Sequence, residues 1–165
     1  MKRGILSTMV ENVDSRPPQS PVVVTELDGV PQEFLDVAPY SHLNYRRFPD
    51  LLEKGQDDLI AKSGLGSFSE IDRNYGVKSF VRVMSEIRYD GQVRSTDKVT
   101  LYTCLKRIGE TSIIFEQRME ANGAHVVPHF ELVVAFVDSQ DKKTRIPDEM
   151  RGKLQPYLLP ENSDF

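Results

Sequence analysis

The chain of 165 residues is poor in several features that mark particular classes of protein. It has a single cysteine, Cys104, which excludes an internal disulfide framework and a cysteine-rich metal site. No apolar run approaches the roughly 18 residues that a membrane-spanning helix needs. The net charge is −4, so the chain lacks the positive excess with which nucleic-acid-binding proteins neutralise phosphates. We therefore expect neither a membrane span nor a nucleic-acid partner.

Signals for targeting and for common catalytic motifs are also missing. The first residues, MKRGILSTMVENVD, lack the long apolar stretch of a signal peptide, so a cytoplasmic location is the expectation. The sequence contains no glycine-rich phosphate loop, no nucleophile elbow and no zinc-type spacing of ligands. A mass of 18.8 kDa suits one domain with one core. We predict a tail or edge segment over residues 1 to 20 and a single domain over residues 21 to 160.

One segment has the pattern of a long amphipathic helix, centred on residues 46 to 62. Pro49 is acceptable there only if the helix begins near Arg46, because the first-turn N–H groups lack partners in any helix. The glycine on the apolar face indicates a close approach to another backbone. The apolar positions follow the spacing of one helical face: Phe48, Leu51, Leu52, Gly55 and Leu59.

The remaining segments mostly predict antiparallel strands. One or two precede the helix in PVVVTELDGVPQEFLDV, where Asp28-Gly29 indicates a hairpin turn or a bulge. SGLGSFSEIDRNYG has the composition of a loop. About four strands follow, and Asn122-Gly123 is the strongest hairpin signal. RIPDEMRGKL predicts a short helix that starts at Pro147. A lone long helix among strands must bury its apolar face against the sheet.

Histidine and cysteine side chains do not form a recognisable metal or nucleophile motif. His125 and His129 are four residues apart on a predicted strand, which separates them by about 13 Å. They cannot chelate one ion together, and we expect no metal site. Cys104 lies inside LYTCLK and is more typical of a packed residue than of a nucleophile.

The polar residues before the long helix carry a family resemblance. Residues 36 to 45 read DVAPYSHLNY, and Glu53 follows His42 by eleven residues. This run resembles the D-x-D-x-x-G-H-[VL]-N-N pattern of the hot-dog-fold acyl-CoA thioesterases of the 4-hydroxybenzoyl-CoA thioesterase type, in which a helix with an acid follows. Residues 87 to 120 and RIPDEMRGKL resemble later segments of that family. The resemblance spans residues 21 to 155. It implies an α+β hot-dog fold, with one long helix wrapped by an antiparallel sheet of five to six strands.

The sequence departs from the family pattern at the catalytic position. The second aspartate of the pattern, which is the catalytic carboxylate, is replaced by Ala38. Ser41 replaces the glycine before the histidine, and Tyr45 replaces the second asparagine. A methyl group is neither a base nor a nucleophile, so the family's usual chemistry cannot be transferred unchanged. Asp36 matches the first aspartate.

Two carboxylates remain as candidates for thioester hydrolysis, which needs an activated water or a carboxylate nucleophile. Asp36 shares a strand face with position 38 if the backbone is extended. Glu53 lies on the helix, and the sequence favours neither. His42 and Asn44 are candidates for orienting water or substrate. Unpaired backbone N–H groups at the helix start, near Asn44 and Tyr45, could stabilise an oxyanion.

The resemblance implies that the substrate is an acyl-CoA or acyl-carrier-protein thioester, with coenzyme A as part of the substrate and no separate cofactor. It also implies a homodimer or a dimer of dimers with the site between subunits. Tyr40 and Tyr45 are candidate substrate-binding residues. Arg94, Lys106 and Arg107 could meet the phosphates of coenzyme A, although solvated strand positions explain each of them more simply.

Three functions fit the sequence. The first is hydrolysis of an acyl thioester. The second is binding of an acyl thioester or similar apolar ligand without hydrolysis, which Ala38 favours. The third is a hydratase or dehydratase on the same fold. Such enzymes usually pair a histidine with a catalytic acid at a set spacing, and no obvious strand acid lies at that spacing from His42. Fold alone does not decide among them.

Overall fold

A long helix lies across one face of an antiparallel sheet. The computed structural model describes residues 20–36, 41–161, 163 and 165. The five strands and three helices of this part are β1 (Val23–Asp28), α1 (Phe48–Ile60), α2 (Phe68–Tyr75), β2 (Lys78–Met84), β3 (Lys98–Ile108), β4 (Ser112–Ala121), β5 (Ala124–Val137) and α3 (Asp148–Leu154). The predicted α+β hot-dog architecture, with one long helix and five to six strands, is confirmed.

The strands are ordered β1-β3-β4-β5-β2, with every neighbouring pair antiparallel. The β4–β5 turn uses Asn122 and Gly123, both with positive φ (50° and 81°), as a tight hairpin turn requires. That predicted hairpin is confirmed. β2 is the last strand of the order, and among the described strands it pairs only with β5. It is therefore an edge strand, and it lies next to α1.

The apolar face of α1 packs on the sheet as the sequence predicts. Phe48 and Leu59 are buried, and Leu51 and Leu52 have no exposed surface. Pro49 lies in the first turn of the helix, where backbone N–H groups have no partner within the helix, so its lack of an N–H costs no hydrogen bond. Gly55 faces β3 and β4 at the centre of the contact. A Cβ at this position would overlap Thr103 Oγ1 and lie 3.0 Å from Gln117 Nε2, so the glycine permits the close approach.

One local prediction is wrong, and one of two alternatives at another position is excluded. The segment expected to be a loop contains α2, because Ser67 Oγ accepts a hydrogen bond from the Glu70 N–H and caps the helix start. The abundant serine and glycine concealed this cap signal. The Asp28-Gly29 turn does not form a hairpin with the following residues. Instead β1 pairs with β3, far along the chain, and a short 3₁₀ turn follows at Gln32–Phe34.

The two faces of the sheet differ in character. Along β4 buried and half-buried residues alternate, with Phe115 and Met119 fully buried toward α1. Glu116 and Glu120 lie on the opposite face, as the alternation in the sequence predicts. In the part of the chain that is described, no helix combines the length and the apolar character needed to cross a membrane.

Candidate functional site

Three of the predicted site residues meet in the loop before α1. The Asp36 N–H donates to the His42 carbonyl oxygen at 2.9 Å, and Asp36 Oδ2 lies 3.3 Å from His42 Nε2. Asn44 Nδ2 donates to Asp36 Oδ1. Asn44 Oδ1 accepts from the Arg46 N–H at 2.9 Å, so the same side chain caps the turn that leads into α1. Both oxygens of Asp36 are therefore engaged in holding this loop.

One of the two expected oxyanion donors is already bonded. The Asn44 N–H donates to the Phe34 carbonyl oxygen at 2.9 Å, and the Arg46 N–H is capped by Asn44. Of the two expected donors, the Tyr45 N–H is the one without a hydrogen bond to another described residue. The Asn44 N–H is therefore already engaged, and the Tyr45 N–H stays the candidate donor. The Tyr45 side chain is 58% exposed, and its hydroxyl accepts from Arg46 Nε at 2.9 Å.

The three basic residues proposed for coenzyme A phosphates do not form one patch. Arg94 forms a backbone bridge with His42 and so lies beside the loop. Lys106 and Arg107 lie near the opposite end of β3, which extends about 26 Å from Lys98 to Lys106. They line a cavity of about 630 Å³ on the side of the C-terminal residues. Ala38 and Tyr40 lie outside the described residues.

Glu53 lies in a different place, beside an apolar groove between α1 and β2. Two adjoining cavities, of about 150 and 220 Å³, form this groove and share Glu53, Gln56, Val81 and Leu132. We call it the α1–β2 groove. Its full lining is Pro49, Asp50, Glu53, Gln56, Phe68, Ser79, Phe80, Val81, Met84, Phe130, Leu132 and Val134.

The groove combines a carboxylate with apolar walls. Glu53 makes no hydrogen bond or ion pair with any other described residue. Phe80, Val81 and Met84 on β2 are 44%, 54% and 45% exposed, an unusual density of open apolar surface for a single strand. Sequence reasoning missed this surface. The run FVRVM, apolar on both faces of a strand next to the helix, was the available signal.

The loop cluster and the groove are separated along the helix. Glu53 follows Tyr45 by eight residues, which corresponds to about 12 Å at the rise of a helix. Within one chain, the Tyr45 N–H and Glu53 therefore lie at different points along the helix. The structure therefore groups Asp36, His42, Asn44 and Arg94 and leaves Glu53 outside that group.

A charged cluster occupies the outer face of the sheet. His129 Nε2 lies 3.1 Å from Glu116 Oε1 and 3.4 Å from Glu131 Oε1. The Lys106 ammonium pairs with Glu131, and this hydrogen bond is the main cause that raises the pKa of Lys106. The cluster thus contains its own counter-charges. His125 pairs separately with Glu120, at 3.6 Å.

Cys104 is fully buried on β3, as its packed position in the sequence predicts. Burial, with a further contribution from Glu116, raises the pKa of the thiol from 9.0 to about 12. The thiolate fraction at pH 8 is then lower by about 10³-fold, and the thiolate is the reactive form. We expect a disulfide reagent to label the native protein far more slowly than the urea-unfolded protein. Equal labelling rates would contradict the burial of this thiol.

Comparison with known proteins agrees with the architecture. The family model of the thioesterase-like superfamily matches residues 30–154. No curated protein sequence matches the chain. A thioesterase-superfamily structure from Jannaschia sp. CCS1 is similar with a TM-score of 0.72 and 18% identity, covering 88% of this chain and 98% of the other.

Two further structures show the same fold. A predicted thioesterase from Bacillus stearothermophilus has a TM-score of 0.64 and 24% identity, over 84% of this chain and 97% of the other. A thioesterase from Thermus thermophilus, complexed with coenzyme A and zinc, has a TM-score of 0.66 and 20% identity, over 86% and 97%. Because the family model covers most of the sequence, and because the fold agrees with it, the chain belongs to the thioesterase-like superfamily.

Proposed function

We propose that this protein hydrolyses an acyl-CoA or acyl-carrier-protein thioester, with the acyl chain in the α1–β2 groove. The observation that carries the proposal is the Glu53 carboxylate, unpaired among the described residues, at the wall of an apolar groove in a chain of the thioesterase-like superfamily. The coenzyme A complex of the Thermus structure supports a coenzyme A thioester as the first substrate class to test. A cytoplasmic location remains the expectation from the sequence.

The geometry favours Glu53 over Asp36 as the catalytic carboxylate. Asp36 already accepts a hydrogen bond from Asn44 and contacts His42, so its carboxylate stabilises the loop before α1. Glu53 is free of such contacts among the described residues and lies beside the surface that suits an acyl chain. A general base must reach the proton that it removes. The proposal places that water in the groove, beside Glu53.

The proposed reaction needs no cofactor besides the coenzyme A of the substrate. A water attacks the thioester carbonyl carbon, and Glu53 takes one of its protons. The resulting tetrahedral oxyanion re-forms the carbonyl and expels the thiolate, which receives the proton from Glu53. The products are a carboxylic acid and a free thiol, and Glu53 returns to its carboxylate form.

The loop cluster is suited to the coenzyme A portion of the substrate. Arg94 is exposed beside His42 and can pair with a phosphate. The helix start contributes the Tyr45 N–H and a partial positive charge. Tyr40 and Tyr45 remain proposed substrate-binding residues. Lys106 and Arg107 lie too far along β3 to share one phosphate group with Arg94.

We also propose a homodimer that forms through β2. This edge strand leaves one row of backbone hydrogen-bonding groups unpaired within the described part of the chain and exposes Val83 outside the groove, and a second copy would cover both. A two-fold axis would bring the helix start of one subunit toward the groove of the other. The dimer thereby resolves the separation of about 12 Å between Tyr45 and Glu53 along one helix.

The edge strand gives a direct test of this dimer. Val83 is 54% exposed on β2 and does not line the groove. We expect wild type to sediment at twice the chain mass of 18.8 kDa and Val83→Lys to shift toward monomer, because edge lysines oppose strand pairing. Arg82→Lys is the matched control and should remain dimeric. A monomeric wild type, or a dimeric Val83→Lys, would argue against pairing through β2.

The proposed activity is tested with a panel of acyl-CoA substrates of different chain length, with release of free thiol as the readout. We expect turnover of at least one acyl-CoA. The alternative function, binding without hydrolysis, is favoured by Ala38 at the position of the family's catalytic aspartate. Tight binding of an acyl-CoA by calorimetry without any thiol release would support that alternative.

A further inference from the structure

Three polar side chains are buried where α1 meets the sheet. Thr103 and Gln117 have no exposed surface, and Gln56 is 6% exposed. Gln117 Nε2 donates to the Leu52 carbonyl oxygen and to Thr103 Oγ1, both at 2.9 Å. Gln117 Oε1 accepts from Gln56 Nε2 at 2.8 Å. Burying polar groups among apolar side chains is costly unless they are bonded, so this network holds each member in one orientation.

The network determines which way the Gln56 carboxamide points. The Leu52 carbonyl oxygen can only accept, so the Gln117 atom bonded to it is the nitrogen. The Gln117 oxygen then faces Gln56 and requires a donor, which is Gln56 Nε2. Gln56 Oε1 is left without a hydrogen bond to any described residue. Because Gln56 lines the α1–β2 groove, this oxygen is available to a molecule in the groove.

Gln56 lies next to the proposed base. Glu53 and Gln56 are three residues apart on α1, where side chains are neighbours with Cβ atoms about 5–6 Å apart. Both line each of the two cavities of the groove. The groove therefore has two adjacent acceptors, one charged and one neutral, against walls that are otherwise mainly apolar.

We propose that Gln56 positions the attacking water for Glu53, an inference that rests on the proposed thioesterase function. The water donates one hydrogen to Glu53, which removes it as a proton, and the other to Gln56 Oε1, which keeps it hydrogen-bonded. Its oxygen lone pair is then directed at the thioester carbonyl carbon. Gln117 and Thr103 contribute indirectly, because they hold the carboxamide of Gln56 in its orientation.

The test is Gln56→Met, which keeps the length of the side chain and removes both polar atoms. We expect kcat to fall by about 10²-fold, as misplacement of a reacting group does, and KM to change by less than about threefold. The pH profile of kcat/KM should keep its shape, because Gln56 does not titrate and Glu53 stays in place. Ile60→Val, a buried change on α1 outside the groove, controls for loosened helix packing and should keep kcat.

A second variant covers the case in which Gln56→Met fails to fold because Gln117 Oε1 loses its donor. Gln56→Met combined with Gln117→Met removes both partners, a change that is often nearly neutral for stability, and should show the same loss of kcat. Unchanged kcat in the folded variants, or a loss confined to KM, would overturn the role of Gln56 and leave the proposed function intact. A wild type that hydrolyses neither an acyl-CoA nor an acyl-carrier-protein thioester would overturn both.

Discussion

Replacing Glu53 by glutamine should lower kcat for acyl-CoA hydrolysis by about 10²–10⁴-fold, the usual contribution of a positioned general base. Glutamine keeps the size and hydrogen-bonding length of the side chain but cannot take a proton from water. KM should change little, because the apolar walls of the groove bind the acyl chain. Steady-state release of free thiol measures kcat, and a thermal melt verifies that the variant is folded.

Two other acid-to-amide changes make this result specific. Asp57 lies one turn further along α1, outside the groove lining, and partial burial raises the pKa of its carboxyl. A raised pKa means that folding disfavours the charge at neutral pH, so Asp57→Asn should leave both folding and kcat intact. Asp36→Asn should weaken the loop through Asn44 and His42. If Glu53→Gln kept the wild-type kcat and Asp36→Asn lost most of it, the general base would be Asp36 and not Glu53.

The parts of the fold that were predicted correctly depend on patterns that are local in the sequence. The spacing of Phe48, Leu51 and Leu52 identified the buried face of α1, and alternation along β4 identified its two faces, because side-chain direction repeats with a fixed period in each element. Asn122-Gly123 identified a hairpin, since few residues adopt its positive φ values. The helix α2 was missed because a single capping serine among glycines is a weak signal.

The site was predicted less completely, since its parts are brought together by tertiary contacts. Asp36, His42 and Asn44 are close in sequence, so their contacts in the loop need no distant part of the chain. Gln56 and Gln117 are 61 residues apart, and no periodicity indicates that they pair. The apolar groove depends on β2 pairing with β5 beside α1. Arg94 and Lys106 lie far apart because the long strand β3 separates them. The sequence predicted a long strand there, but not which of its ends lies near the start of α1.

Replacing Gly55 by alanine should destabilise the protein, although alanine is the better helix former. The gain in helix propensity is about 1 kcal/mol, whereas overpacking a core position costs about 1–3 kcal/mol. The added methyl would overlap Thr103 Oγ1 and press on Gln117 Nε2 at 3.0 Å. Both atoms belong to the bonded network under α1, so they cannot move aside without losing hydrogen bonds. We expect the overpacking cost to exceed the propensity gain.

Gly152→Ala provides the matched control in the same chain. Gly152 lies inside α3, and a Cβ there would meet no described atom within 4 Å. Only the propensity gain applies, so this variant should be more stable by about 0.5–1 kcal/mol. Urea unfolding of both variants measures their free energies of unfolding. The methyl of Gly55→Ala should shift Gln117, which orients Gln56, so kcat should fall together with stability, whereas Gly152→Ala should keep full activity. Stabilisation of both variants would mean that α1 does not approach the sheet as closely as the structure shows.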